Sequence, residues 1–330
     1  MLKFTKQGIY CPRADVYIDP WEPVQNAIVT HGHSDHARWG MGKYLCHIHT
    51  VPVLRLRLGA DIAIQGLEYG EAVHRNGVRI SLHPAGHIIG SAQVRLEYKG
   101  EVWVVSGDYK LVHDGVSVPF EALRCHHFVT ESTFALPVYR FPDPTLVFSE
   151  INRWWAQNAA EGFNTVLLAY ALGKSQTILQ HLETETGRVF LHGAVANVNA
   201  ALEGMGYQFP GERIATETDR SSLKGAIVVA PPSALGSPWL RRFSPYRIAS
   251  CSGWMQLRGA RRRRGVDRGF VLSDHADWEQ LNQAVSATAA ETVYVTHGYE
   301  APFARWLREH KDLQAHEVHL QGAEVMEDDL

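Results

Sequence analysis

No two of the four cysteines, Cys11, Cys46, Cys125 and Cys251, form a CxxC pair, and four in 330 residues are too sparse for a disulfide framework. That spacing argues against both a small stapled scaffold and a thiolate zinc site, and reduced structural thiols are the expectation. Long apolar runs are missing as well. Lys3, Lys6, Arg13 and Asp15 break up the first twenty residues, so no signal peptide is expected, and no later stretch has the length to span a bilayer. A cytoplasmic protein without a membrane partner is therefore the expectation. An excess of charge of one sign is also lacking. The formal net charge of -3 draws no polyanion to the surface as a whole, so a nucleic-acid partner would have to be held by a local patch. There is no internal repeat, and the one biased segment is a run of arginines.

The composition, 45% hydrophobic and 20% charged, suits an ordinary globular enzyme with one large core or two smaller ones. Short β-rich runs separated by Gly, Pro and Asn fill the chain to about Leu136, with strands expected at Val78 to Leu82, Ala92 to Tyr98 and Val102 to Val105. The texture changes near Pro142 and Pro144. A helix over Leu146 to Ala160, a strand over Thr165 to Ala169 and a helix over Ser175 to Glu185 open an alternation that predicts a parallel α/β layer. β segments return after Arg247 to Ser250. The expected organisation is a β-rich core over 1–142 and 249–330, split by an inserted α/β segment over 143–248.

Eighteen histidines are many for this length, and spacing selects among them. His31, Gly32, His33, Ser34, Asp35 and His36 follow the apolar run Ala27 to Val29 and place three imidazoles and a carboxylate within six residues. On an extended segment alternate residues share a side, so His31, His33 and Asp35 are expected to converge while His36 turns elsewhere. Imidazole and carboxylate are ligands that zinc and manganese accept, and a set without thiolate leaves positions open for water. Open positions point to catalysis. His87, after Pro84, Ala85 and Gly86, and Asp108, after Ser106 and Gly107, are further donors, although each alone reads equally as a loop or turn residue. Asp19, after Val16 to Ile18, can orient a ligand imidazole, or serve only as the turn residue before Pro20.

Asp19, the HGHSDH stretch, His87 and Asp108 resemble, in order, the four successive motifs of the metallo-β-lactamase superfamily. The resemblance implies an α/β protein built as an αββα sandwich with two divalent metal ions, zinc first and manganese second, at one sheet edge. It implies that His31, His33 and His87 hold one ion, that Asp35 and His36 hold the other, and that Asp108 bridges them. Glu131 in Val129 to Thr133, His275 in Leu272 to Asp277 and His297 in Thr296 to Glu300 resemble the later motifs of the β-CASP nucleases, whose inserted cap the α/β segment matches. His297 would then be a further metal ligand, and His275, oriented by Glu131, would assist the leaving oxygen. The run from Gly253 through Trp278 is similar to bacterial exonucleases associated with DNA ligase. That likeness implies a 5'-to-3' DNA exonuclease of DNA repair, with ligase or helicase as functional associates. His297 resembles instead the RNA-cleaving branch, so RNA processing stays open, and a small-molecule metallo-hydrolase on the same core is the alternative of another class.

Two segments are expected to hold phosphate. Arg258, Arg261, Arg262, Arg263, Arg264 and Arg268 crowd into eleven residues with only Asp267 to offset them, and guanidinium groups supply sequence-independent affinity for nucleic acid. Lys174 and Ser175, after a strand and at the start of a helix, together with Ser132 and Thr133, suit a terminal phosphate, although a plain helix cap accounts for Lys174 and Ser175 nearly as well. Trp154, Trp155, Trp239 and Trp254 suit either base stacking or core, with core favoured for most of them.

Overall fold

The structure, a computed structural model, describes residues 1–215, 220–257, 259 and 265–319. It is a mixed α/β protein with three sheets, and its described residues divide into two units. The first holds Met1–His113, Ser117–Arg140 and the chain from His275 onward, and the second Asp114–Val116 and Phe141–Asp274. No helix among the described residues is long and apolar enough to cross a membrane.

Two sheets build the first unit. One runs Lys3–Thr5, Gly8–Cys11, Val16–Ile18, Asn26–Ile28, Lys43–His47 and Ile64–Leu67 in spatial order. The other runs Gln314–Glu317, Thr292–Gly298, His127–Ser132, Glu101–Val105, Ala92–Tyr98, Val78–Pro84 and Ala72–Arg75. Period-two alternation puts one apolar row of each sheet toward the other: Ile18 and Ile28 share a core with Ile80, Val94, Val105 and Val129. The opposite row of the second sheet, with Val104, Phe128 and Val295, packs against Leu281 and Val285 of helix Trp278–Thr288 and Phe303 and Leu307 of helix Glu300–Lys311. Behind the first sheet, Ala27 and Cys46 meet Leu54 of helix Val51–Leu58.

Strand direction decides where the site lies. Strands Thr292–Gly298, His127–Ser132 and Glu101–Val105 are parallel, and Val78–Pro84 is separated from the last by one antiparallel strand, so all four run the same way. Their C-terminal ends form one edge, where Glu131 and His297 occupy the last residues of their strands and the loops beyond the other two carry His87 and Asp108. An edge of carboxyl ends is where α/β sheets place their ligands.

The second unit is a parallel sheet in the order Glu212–Arg213, Val189–Leu191, Ile227–Ala230, Asn164–Leu168, Tyr246–Cys251 and Arg268–Phe270. It buries both faces, as parallel sheets do, with Leu167 and Val229 on one side and Val166 and Val228 on the other. Helix Pro144–Ala160 starts where the texture changes, capped by the Asp143 carboxylate accepting from the Thr145 N–H. Two expectations need correction. Strand Arg268–Phe270 pairs with Tyr246–Cys251, so the chain stays in this unit to Asp274 and does not leave it after 248. The helix expected over Ser175 to Glu185 stops at Gln180, because the Asn152 amide takes the His181 carbonyl at 2.8 Å, while the His181 ring stacks on Phe148 at 4.1 Å.

Candidate metal centre

The HGHSDH stretch leaves its strand and turns, with the His36 and Ala37 N–H groups both donating to the His33 carbonyl. The alternation expected of an extended chain therefore fails. His36 does not turn away; its ring lies 4.2 Å from that of His31, and both direct Nε2 at one carboxylate oxygen. Asp108 Oδ2 stands 3.3 Å from His31 Nε2, 3.3 Å from His36 Nε2 and 3.8 Å from His87 Nε2. His87 Nε2 is in turn 3.1 Å from His33 Nδ1, and Asp35 Oδ2 is 3.6 Å from His36 Nε2. The ligating atoms of His31, His33, His87 and Asp108 lie within 4.8 Å of one another, and so do those of His31, Asp35 and His36. Each group is capable of holding a metal ion, and the two share His31.

Glycines allow this convergence. Gly86, at φ +75°, would bring a Cβ to 2.1 Å from the Lys110 carbonyl oxygen, and Gly107, at φ +57°, to 2.7 Å from Thr30. Both precede a donor, and both occupy backbone conformations that a side chain would strain.

The hydrogen bonds around the cluster set its tautomers. Asp19 Oδ1 accepts from the Thr30 N–H at 2.8 Å, and Oδ2 accepts both the Thr30 hydroxyl at 2.7 Å and His36 Nδ1–H at 2.8 Å. With its proton committed, Thr30 Oγ1 can only accept from His31 Nδ1, 3.0 Å away. In their neutral forms both rings thus present an unprotonated Nε2 to Asp108, the form a cation requires. The Nε2 atoms of His31, His36 and His297 are buried and make no hydrogen bond to any described residue. Buried polar atoms left over in this way are costly, and a cation satisfies them.

The electrostatics agree. Burial alone would lower the proton affinity of His36, but Asp108, Asp35 and Asp19 outweigh it and hold its pKa well above the usual imidazole value. Burial alone would raise Asp108, and the positive charges of His36 and His275 hold it well below the carboxylate range. The surplus of carboxylates thus draws positive charge into the cluster. His297 stacks on His36 at 5.0 Å, and its pKa is lowered by burial and then by the charge on His36.

Asp19 is at φ +45°, a conformation asparagine also adopts. Asp19→Asn should keep the fold but turn an amide N–H toward His36 Nδ1, moving the ring proton to Nε2. Metal affinity measured by titration calorimetry should fall about 10- to 100-fold. Unchanged affinity would reduce Asp19 to a turn residue.

Beside the cluster, His275 Nδ1 is 3.0 Å from Glu131 Oε2, while Glu131 Oε1 accepts the Tyr109 N–H at 2.7 Å. Asp108, Glu131 and His275 come within 4.8 Å of one another. The expected phosphate residues fare differently. The Ser132 hydroxyl is buried and donates to the carbonyls of Thr296 and His297, at 2.9 and 2.7 Å; it positions the His297 turn and is not directed at a ligand. Thr133, next to it, is half-buried. Lys174 is buried, with Nζ 2.6 Å from Asp274 Oδ1 and 4.5 Å from the Tyr170 ring centre, and Ser175 donates to the Tyr170 carbonyl. The expected anion site is therefore closed by an internal ion pair. Arg258 and Arg261 to Arg264 lie outside the described residues, whereas Arg268 pairs with Glu150 at 2.9 Å. Trp154 and Trp155 are buried in the core of the second unit, and Trp239 and Trp254 are half-buried. Thr30 was missed; its only signal is a polar residue between the apolar run Ala27 to Val29 and His31.

No family model matches the chain. It is 34% identical over 311 residues to a protein of Opitutus terrae named "Probable DNA ligase", a match that takes in 93% of this chain and 30% of that protein, so the chain spans less than a third of its relative's length. A solved structure of a protein of unknown function from Enterococcus faecalis V583 matches with a TM-score of 0.60 at 13% identity, over 86% of this chain and 77% of that one. That likeness is one of fold.

Proposed function

We propose that this chain is a two-metal phosphodiesterase of the metallo-β-lactamase superfamily, with the second unit as a β-CASP cap, and that it hydrolyses nucleic acid. One observation carries the reading: a single oxygen of Asp108 stands within 3.8 Å of the imidazoles of His31, His36 and His87, a position from which one carboxylate would serve two ions. In this reading His31, His33 and His87 hold one ion, Asp35, His36 and His297 the other, and Asp108 both. Zinc or manganese suits the N and O donors. Two such ions would supply acidity toward water and positive charge toward phosphoryl oxygens.

The chain's own residues do the rest. Asp19 and Thr30 hold the rings of His36 and His31 in the tautomer that leaves Nε2 for a cation. Glu131, pinned by the Tyr109 N–H, fixes the His275 ring through Nδ1, and the remaining ring nitrogen, Nε2, would pass a proton to the departing oxygen.

DNA is the favoured polymer, because the chain's relative from Opitutus carries the name of a DNA ligase. Cutting from the 5' end rests on the sequence resemblance, and the buried Lys174–Asp274 pair removes the expected structural ground for a terminal-phosphate preference. The deciding assay uses end-labelled single-stranded DNA and matched RNA, linear and circular, with and without a 5'-phosphate. Shortening of linear DNA from its 5' end, abolished by chelation, is expected; equal cutting of circles or a strong preference for RNA would overturn that part.

Neutralising Arg258 and Arg261 to Arg264 should weaken binding to any base sequence. It should also flatten the dependence of log affinity on log salt by about 0.7 for each phosphate of a single strand that is no longer neutralised. Binding titrations from low to moderate salt measure it, and an unchanged slope would make the run a solvated loop.

A further inference from the structure

Trp39 follows His36 by three residues and is 78% exposed, more than any other large apolar side chain among the described residues. A tryptophan so placed on a loose loop would mean little. This loop is braced from both sides. The Tyr44 hydroxyl, buried beneath it, donates to the Arg38 carbonyl at 2.9 Å and accepts the Met41 N–H at 3.1 Å. Met41 is buried, and its sulfur accepts the Val24 N–H at 3.4 Å. The Ala37 N–H is tied to the His33 carbonyl at 2.8 Å, and Gly40, at φ +94°, would set a Cβ only 3.3 Å from Pro23. Arg38 lies over the Trp21 ring at 4.7 Å, and Trp21 stacks on His297 at 6.2 Å. One face of the loop is thus fixed to the metal-binding turn while an indole is offered to solvent.

We infer that Trp39 is a stacking platform for one nucleobase of the substrate, beside the metal cluster on the Asp35 side. The Asp35 side chain is 43% exposed whereas those of His31 and His36 are buried, so the cluster reaches solvent at Asp35, four residues before Trp39 in the same turn and loop. An indole stacks on any base without reading its identity, which suits a polymer-cutting site. A rigid platform also loses little conformational freedom on binding. The inference rests on the nuclease reading and deepens it, giving that reading a base contact in addition to its phosphate contacts.

The test is steady-state cleavage of a single-stranded oligonucleotide by the full-length wild-type protein, Trp39→Ala and Trp39→Phe, with melting temperature and metal content checked for each. Trp39→Ala should raise KM about tenfold, the scale of one missing stack, with kcat changed less than about twofold, the pattern of a loss in uniform binding. Trp39→Phe, which keeps a ring, should recover most of the loss. An abasic scan of the oligonucleotide adds a cycle: one abasic position should raise the wild-type KM by a similar factor and add little in Trp39→Ala. Equal KM for wild type and Trp39→Ala, or the same abasic penalty in both, overturns the subsite while leaving the nuclease reading in place. A wild-type protein that cleaves neither DNA nor RNA overturns both.

Discussion

Asp108→Asn should lower cleavage of nucleic acid by roughly 10³-fold or more, with a parallel loss of bound metal. The reason lies in charge and lone pairs. Asp108 Oδ2 is close to three imidazoles at once, and an amide in its place offers one weaker acceptor and no charge. Losing a shared ligand forfeits the charge stabilisation that a metal ion supplies, several kcal/mol, and each 1.4 kcal/mol is about a factor of ten in rate. The fold should persist, because Asp108 lies beyond the end of its strand and the sheets have their own apolar cores. Activity assays, elemental analysis and circular dichroism together decide the matter. Metal content and activity that both survive the substitution would end the two-metal proposal.

His275→Ala should separate acid catalysis from metal binding. A sugar oxygen leaves as a poor alkoxide unless a proton reaches it, whereas a nitrophenolate departs unaided because its conjugate acid is much stronger. The substitution should slow cleavage of a natural phosphodiester by about 10²- to 10⁴-fold, the range for a general acid, and spare a nitrophenyl phosphodiester. His297→Ala should impair both substrates, since its buried Nε2, without a hydrogen bond, is read as a ligand atom. Metal content should fall only in the second variant. Equal loss on both substrates with loss of metal in His275→Ala would make His275 a ligand. The Asp108–Glu131–His275 grouping keeps that outcome within reach.

What the sequence disclosed tracks the range of the interactions involved. The strand at Ala92 to Tyr98 and the turn at Lys99 and Gly100, both at positive φ, are set by local pattern and were legible. So was the clustering of candidate donors at strand ends, with the HGHSDH stretch and Asp108 just beyond their strands and His297 in the last residues of its own. The fold of the HGHSDH turn was not, since it depends on Asp19 reaching His36 across 17 residues and on Asp108 beyond. Lys174 was misread for the same reason. Its partner Asp274 is 100 residues away in sequence, and no local signal separates a lysine that meets a phosphate from one that meets a carboxylate. Ser132 reads as a free hydroxyl in sequence, but the parallel pairing of its strand with Thr292–Gly298 gives it two carbonyls to satisfy.

The residues that build the cluster are spread along the chain from Asp19 to His297, and apart from the HGHSDH turn no two come from the same loop. A zinc finger gathers its ligands from a short hairpin and helix, so that the ion can nucleate the fold. Here the edge that carries the ligands does not exist until strands from both ends of the chain have paired, and such long-range pairings are slow steps in folding. On the proposed two-metal reading, ions would therefore enter a finished protein. They would tie its N-terminal and C-terminal portions together late, as a clasp on a completed architecture, and the nascent chain would offer them nothing stronger than the HGHSDH turn.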